Sequence, residues 1–190
     1  VHGSLYERFV NGAINQVYEH KLGNPLDVET TIGPMVNVKA AEFVRQQIED
    51  AVAQGAIAGV DQHYFKHHEE DTAYLAPQIL SHVNHQMNVM TEESFGPVIG
   101  VMSVANDEEA VKLMNDSPYG LTASIWTEDE ERALAIGDQL ETGTVFMNRC
   151  DYLDPALPWV GVKNSGRGCA LSVLGYQQLT RPKSFHLKRI

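Results

Sequence analysis

The chain has 190 residues, 43% of them hydrophobic and 21% charged, enough for one well-packed domain and outside the range of disordered chains. A formal net charge of −11 argues against nucleic acid as a partner, because binding that polyanion takes clustered Lys and Arg. No apolar run approaches the length that crosses a bilayer, so no membrane partner is expected. Two cysteines, Cys150 and Cys169, do not make a disulfide framework, which points to a reducing, cytoplasmic setting.

Ser4 and Glu7 stand at capping-box spacing. Leu5, Phe9, Ala13 and Val17 then recur every four residues, with Tyr6, Val10 and Ile14 beside them. This predicts an amphipathic helix, ended by Gly23-Asn24-Pro25. Ala40, Val44, Ile48 and Val52 mark the inner stripe of a second helix about four turns long, stopping near Gly55. Residues 57 to 72, aperiodic and rich in His and acid, read as an exposed loop or ragged hairpin. Tyr74 to Leu80 reads as a strand that Pro77 pushes to a sheet edge. Val98 to Val104, nearly all apolar, reads as a strand covered on both faces.

Asn106 with Glu109 caps a helix carrying Ala110, Val111, Leu113 and Met114, and Gly120 breaks it before a strand from Leu121 to Trp126. Thr127 with Glu130 forms another capping box, for a helix using Ala133, Leu134, Ile136 and Leu140. Gly143 ends that helix before the strand Thr144 to Met147. Strands alternating with helices at such short spacings need right-handed crossovers. The expected fold class is therefore α/β, a parallel open sheet with helical crossovers. From Asp151 the pattern changes to a loop punctuated by Pro and Gly. A short helix from Leu171 to Leu179 and a strand from Ser184 to Lys188 follow. That strand has no partner in the nearby sequence, so pairing with another copy of the chain or with a further segment is expected.

Three stretches carry chemistry. Glu92-Glu93-Ser94-Phe95-Gly96-Pro97-Val98 places a carboxylate and an aromatic face at the lip of a strand, a clamp suited to a ribose and a flat heterocycle. The others are residues 115 to 124, Asn-Asp-Ser-Pro-Tyr-Gly-Leu-Thr-Ala-Ser, and residues 158 to 168, Pro-Trp-Val-Gly-Val-Lys-Asn-Ser-Gly-Arg-Gly. In this order and at these separations, the three motifs resemble the catalytic domain of the NAD(P)-dependent aldehyde dehydrogenase superfamily, over essentially the whole chain.

The resemblance implies that Glu93 accepts hydrogen bonds from the hydroxyls of the nicotinamide ribose, and that Phe95 lies against the nicotinamide of NAD or NADP. It implies that Asn148 to Trp159 lines the aldehyde tunnel, with Leu153 and Trp159 around the organic group of a small aldehyde substrate. Gly161, Gly166 and Gly168 match the glycines of the last motif, with Lys163 and Ser165 in place, while Val160, Cys169 and Ala170 depart from it. On this reading residues 1–170 form the catalytic domain, and residues 171–190 a C-terminal helix and oligomerisation strand of a homo-oligomer. The family's catalytic Cys, its Glu base and its oxyanion Asn have no match here, so the catalytic set within the chain is empty. An upstream segment is expected to supply them, with the 190 residues inactive alone. Cys150 and Cys169 are poor substitutes, having no activating His close in sequence.

Two other readings remain open on sequence. His63, His67 and His68 beside Glu69, Glu70 and Asp71 could bind a transition metal, with His82 and His85 a looser pair. The chain could also be an assembly module that keeps the fold without the chemistry.

Overall fold

The computed structural model describes residues 1–150 and 152–190. Asp151, where the sequence turns to its Pro- and Gly-punctuated loop, lies outside the described residues. The chain packs as two compact units, Val1–Asn106 and Asp107–Ile190.

In the first unit a 3-10 turn (Gly3–Leu5) leads into α1 (Tyr6–Tyr18). Then come α2 (Val38–Ala53), β1 (Ile57–Ala58), a second 3-10 turn (Gln62–Tyr64), β2 (Gln78–Ser81), α3 (Asn88–Thr91) and β3 (Val98–Gly100). The sheet order is β1-β2-β3, with β1 antiparallel and β3 parallel to β2. Side chains alternate along a strand, so adjacent Ile79 and Leu80 face opposite ways. Ile79 joins Val10, Leu22, Val60 and Phe65, with Ala13, Ile14 and Val17 of α1 packed against them. Leu80 joins Ala51 of α2, Ala56, Val83 and Met87. A sheet covered by α1 on one face and α2 on the other is the result, and all four residues of β2 are buried.

The buried Gln78 side chain ties β2 to the backbone of Val60, just beyond β1. Its Oε1 accepts from Val60 N at 2.8 Å and Ile79 N at 3.0 Å, and its Nε2 donates to Val60 O at 3.0 Å. The polar backbone of Val60 is thereby satisfied inside the core.

The second unit holds α4 (Asp107–Asn115), β4 (Tyr119–Gly120), β5 (Thr122–Ile125), α5 (Glu130–Gly137), β6 (Thr144–Met147), β7 (Val162–Lys163) and α6 (Ser172–Leu179). Strands β5 and β6 run parallel, Thr122 opposite Thr144, and α5 packs on both as the crossover. Strands β4 and β7 pair antiparallel. The chain can enter β6 only through glycine, since a Cβ on Gly143 would collide with the Val160 carbonyl.

Many predicted elements are present, with corrections: α1 ends at Tyr18, short of Gly23-Asn24-Pro25, and the stretch 57 to 72 holds β1, a 3-10 turn and the buried Val60 and Phe65. The first cap is His2, whose ring accepts from Ser4 N, and Ser4 lies inside the 3-10 turn. On α2 the buried residues are Ala41, Val44, Gln47 and Ala51, while Val52 is 43% exposed. Each four-residue step overshoots a helical turn by about 40°, so a strict four-residue repeat rotates off the buried face. β2 is central rather than an edge strand, because Pro77 precedes it and leaves its hydrogen bonds intact. β3 is shorter than expected, and Ile99 is 59% exposed, so the strand is not covered on both faces within its unit. Asp129, not Thr127, caps α5, accepting from Arg132 N at 2.9 Å.

Two parallel strand pairs exist, but the described strands form three small sheets rather than one open sheet. Ser184 to Lys188 forms no strand within this chain. Phe185 and Leu187 are 73% and 84% exposed there. A strand needs a neighbour for its N–H and C=O groups, and none lies alongside among the described residues. Among the described residues no helix is long and apolar enough to cross a membrane.

Candidate functional site

Glu93 and Phe95 lie on the loop joining α3 to β3, fixed at both ends by backbone hydrogen bonds. Glu92 N donates to Asn88 O at 2.9 Å, closing α3. Beyond the loop, Val98 N donates to Gly96 O at 2.8 Å and Gln78 N to Pro97 O at 2.8 Å. Between these anchors Phe95 adopts a φ of +44° and leaves its side chain 85% exposed. A left-handed conformation costs a non-glycine residue about 1–2 kcal/mol, and core packing supplies no return for a ring in solvent. Glu93 is exposed on the same loop. A carboxylate and a bare aromatic face, two residues apart on a loop anchored at both ends, can receive a cis-diol and a flat ring.

The other predicted residues belong to the second unit. At the end of β6, Asn148 has φ +55°, and its side-chain amide grips Thr127 twice. Nδ2 donates to Thr127 O at 2.8 Å, and Oδ1 accepts from Thr127 N at 3.0 Å. The loop that follows therefore leaves in a defined direction. The Arg149 guanidinium lies 4.4 Å over the Tyr152 ring, and Leu153 is 53% exposed. Trp159 is half-buried and held by a two-bond bridge to Ala170, 2.7 Å and 2.9 Å. So the structure places Glu93 with Phe95 on one loop, and Leu153 with Trp159 on another.

The glycine motif does structural work. Gly166 and Gly168 have φ of +141° and +82°, where a side chain is strained. Ser165 Oγ accepts from Gly120 N at 3.0 Å, and Lys163 Nζ donates to Asn115 O and pairs with Glu141, both at 2.7 Å. Cys150 is an exposed free thiol and Cys169 a half-buried one.

The histidines diverge. His63 and His68 line a cavity of about 870 Å³ beside α2, whereas His67 lines another of about 690 Å³ and packs on Tyr74. His68 Nδ1 accepts from Ala76 N at 3.0 Å. With that lone pair engaged, the neutral ring carries its proton on Nε2 and offers no electron pair to a metal. Burial first, then the charges of Arg45 and His63, push His68 below its ordinary pKa. Among the described residues no three His, Cys, Asp or Glu side chains are grouped to hold an ion. Neither cavity includes Glu93 or Phe95. Sequence reasoning missed the Asn148 clasp and the Gln78 bridge; each depends on a partner at least 18 residues away.

The model of the aldehyde dehydrogenase family matches residues 1–185. The chain belongs to the aldehyde dehydrogenase family. It is 33% identical over 184 residues to succinate-semialdehyde dehydrogenase [NADP(+)] 1 of Mycobacterium tuberculosis strain H37Rv, covering 97% of this chain and 40% of that protein. Its fold matches the crystal structure of betaine aldehyde dehydrogenase from Staphylococcus aureus in complex with NAD+. That match has a TM-score of 0.83 and 30% identity, over 94% of this chain and 36% of the other. A structure of Gox0499, described in terms of cofactor and substrate selection, matches with a TM-score of 0.88 and 36% identity, over 99% and 41%. The chain thus spans about 40% of the length of the curated aldehyde dehydrogenases it resembles.

Proposed function

We propose that this chain is the C-terminal portion of the catalytic domain of an NAD(P)-dependent aldehyde dehydrogenase, oxidising a small aldehyde to its acid. The exposed left-handed Phe95 beside exposed Glu93 carries this reading. An aromatic ring held in solvent by a strained backbone has a use when a flat ligand covers it. The residues suit such a cofactor: the Glu93 carboxylate can accept from both hydroxyls of a ribose, and Phe95 can set the depth of the ring. Bound nicotinamide would supply the hydride acceptor.

Leu153 and Trp159 would give the aldehyde an apolar wall that keeps water out. The nucleophilic Cys, with its Glu base and oxyanion Asn, would come from a segment outside these residues, leaving the 190 residues inactive alone. Residues 1–170 would be catalytic, and the 171–190 tail, with its exposed Phe185 and Leu187, would join copies of the enzyme.

The test is Glu93→Gln in the full-length gene product. Losing one charge-assisted contact should lower kcat/KM about tenfold and raise KM for NAD(P)+, with little change in stability. Kinetics matching the wild type would remove Glu93 from the site. A purely structural assembly role would instead show as wild-type protein that reduces neither NAD+ nor NADP+ with any aldehyde tried.

A further inference from the structure

We propose that Val44 of α2 is a positioning residue for the cofactor loop, setting the height at which Glu93 and Phe95 are presented. This inference rests on the reading of those two residues given above. Val44 is fully buried, at the centre of the inner face of α2. A Cβ built on Gly96 would stand 2.9 Å from Val44 Cγ2, 3.3 Å from Val44 Cγ1 and 3.0 Å from Met35 Cε. The loop backbone therefore rests directly on this side chain, one residue beyond Phe95.

The two contacts differ in kind. Met35 Cε ends an unbranched chain that can swing away. Val44 is β-branched on a helix, where one χ1 rotamer is strongly preferred, and both of its methyls face Gly96. Val44 is thus the hard stop and Met35 the soft one. Above the stop, the hydrogen bonds Glu92 N to Asn88 O and Gln78 N to Pro97 O tether the ends of the loop. A push at Gly96 falls between these tethers, on the stretch that holds Phe95 and Glu93. A displacement of about 1 Å is enough to change a reaction a hundredfold when geometry governs it.

The experiment measures steady-state kinetics, nucleotide dissociation constants and melting temperature on the full-length enzyme carrying Gly96→Ala, with Val44→Ala or Met35→Ala added to it, and Val44→Ile alone. Gly96→Ala should raise KM for NAD(P)+ about tenfold while leaving KM for the aldehyde near wild type. Adding Val44→Ala should restore cofactor KM to within about threefold, and adding Met35→Ala should not. Val44→Ile keeps the helical rotamer, adds a methyl beneath the loop, and should reproduce the rise in cofactor KM in a folded protein.

Unchanged cofactor KM in both Gly96→Ala and Val44→Ile would overturn the proposal. So would a Gly96→Ala defect that survives in a folded double variant with Val44→Ala. These failures are distinct from failure of the underlying site. If Glu93→Gln impairs cofactor use while Gly96→Ala and Val44→Ile do not, only the role of Val44 falls. If Glu93→Gln is also silent, the site itself is wrongly placed.

Discussion

Phe95 combines a local backbone cost with no packing benefit. Its φ of +44° is one that glycine adopts freely, and its ring is 85% exposed. Phe95→Gly should therefore leave the melting temperature within about 3 °C of wild type, the relieved backbone strain offsetting the greater freedom of the unfolded chain. The same variant should raise KM for NAD(P)+. A large fall in melting temperature would show that the ring is a packing residue, since removing a buried Phe costs about 3–5 kcal/mol.

His68 provides a second test at this scale. Its folded pKa lies below the ordinary 6.5, so in the window between the two values the unfolded chain holds more protons than the folded one. Stability from the neutral ring is present above pH 6.5 and is lost as pH falls through that value toward the folded pKa. The groups around the ring are Arg45, His63 and Glu70, with Glu70 opposing the other two. The urea midpoint should drop between about pH 7.5 and 5.5, and His68→Gln, which keeps an acceptor for Ala76 N, should flatten that dependence. An equal drop in the variant would assign the effect to another group.

At the scale of elements, capping separates what spacing suggests from what geometry selects. Thr127 and Glu130 have capping-box spacing, yet Asp129 accepts from Arg132 N, while Thr127 Oγ1 accepts from Asp129 N at 3.1 Å and shapes the entry turn. Asp129→Ala should destabilise the protein by about 1 kcal/mol in chemical denaturation, and Thr127→Ala by less. The reverse order would restore Thr127 as the cap. Similar shifts occur on α1 and α2, where the apolar residues were visible in the sequence but the centre of the buried face was not. Val10 is buried while Phe9 is 50% exposed. Periodicity places a helix face to within about one residue, and the packed neighbour then decides which side of the stripe goes in.

At the scale of the whole molecule, large apolar side chains stand in solvent in both units. Leu26, Val28 and Val36 are 91%, 96% and 88% exposed in the first, and Tyr176, Phe185 and Leu187 are 73%, 73% and 84% exposed in the second. Scattered exposed apolar residues are ordinary, but large ones in this number suit faces that associate. Residues 1–190 expressed alone should bind a hydrophobic dye and self-associate in light scattering, without aldehyde-dependent reduction of NAD+ or NADP+. A monodisperse, dye-silent monomer would count against associating faces.

The sequence by itself determined the alternation of strand and helix, the β5-α5-β6 crossover down to the limits of β6, and the motifs that carry the family resemblance. These are local patterns, set by side-chain periodicity, glycine and the spacing of chemically distinct residues. Only the tertiary structure decided that β2 is central, that Gln78 ties it to the backbone of Val60, that Asn148 clasps Thr127, and that Phe95 is left-handed in solvent. Each depends on atoms from distant parts of the chain competing for one space or one hydrogen bond, and no window of neighbouring residues contains both competitors.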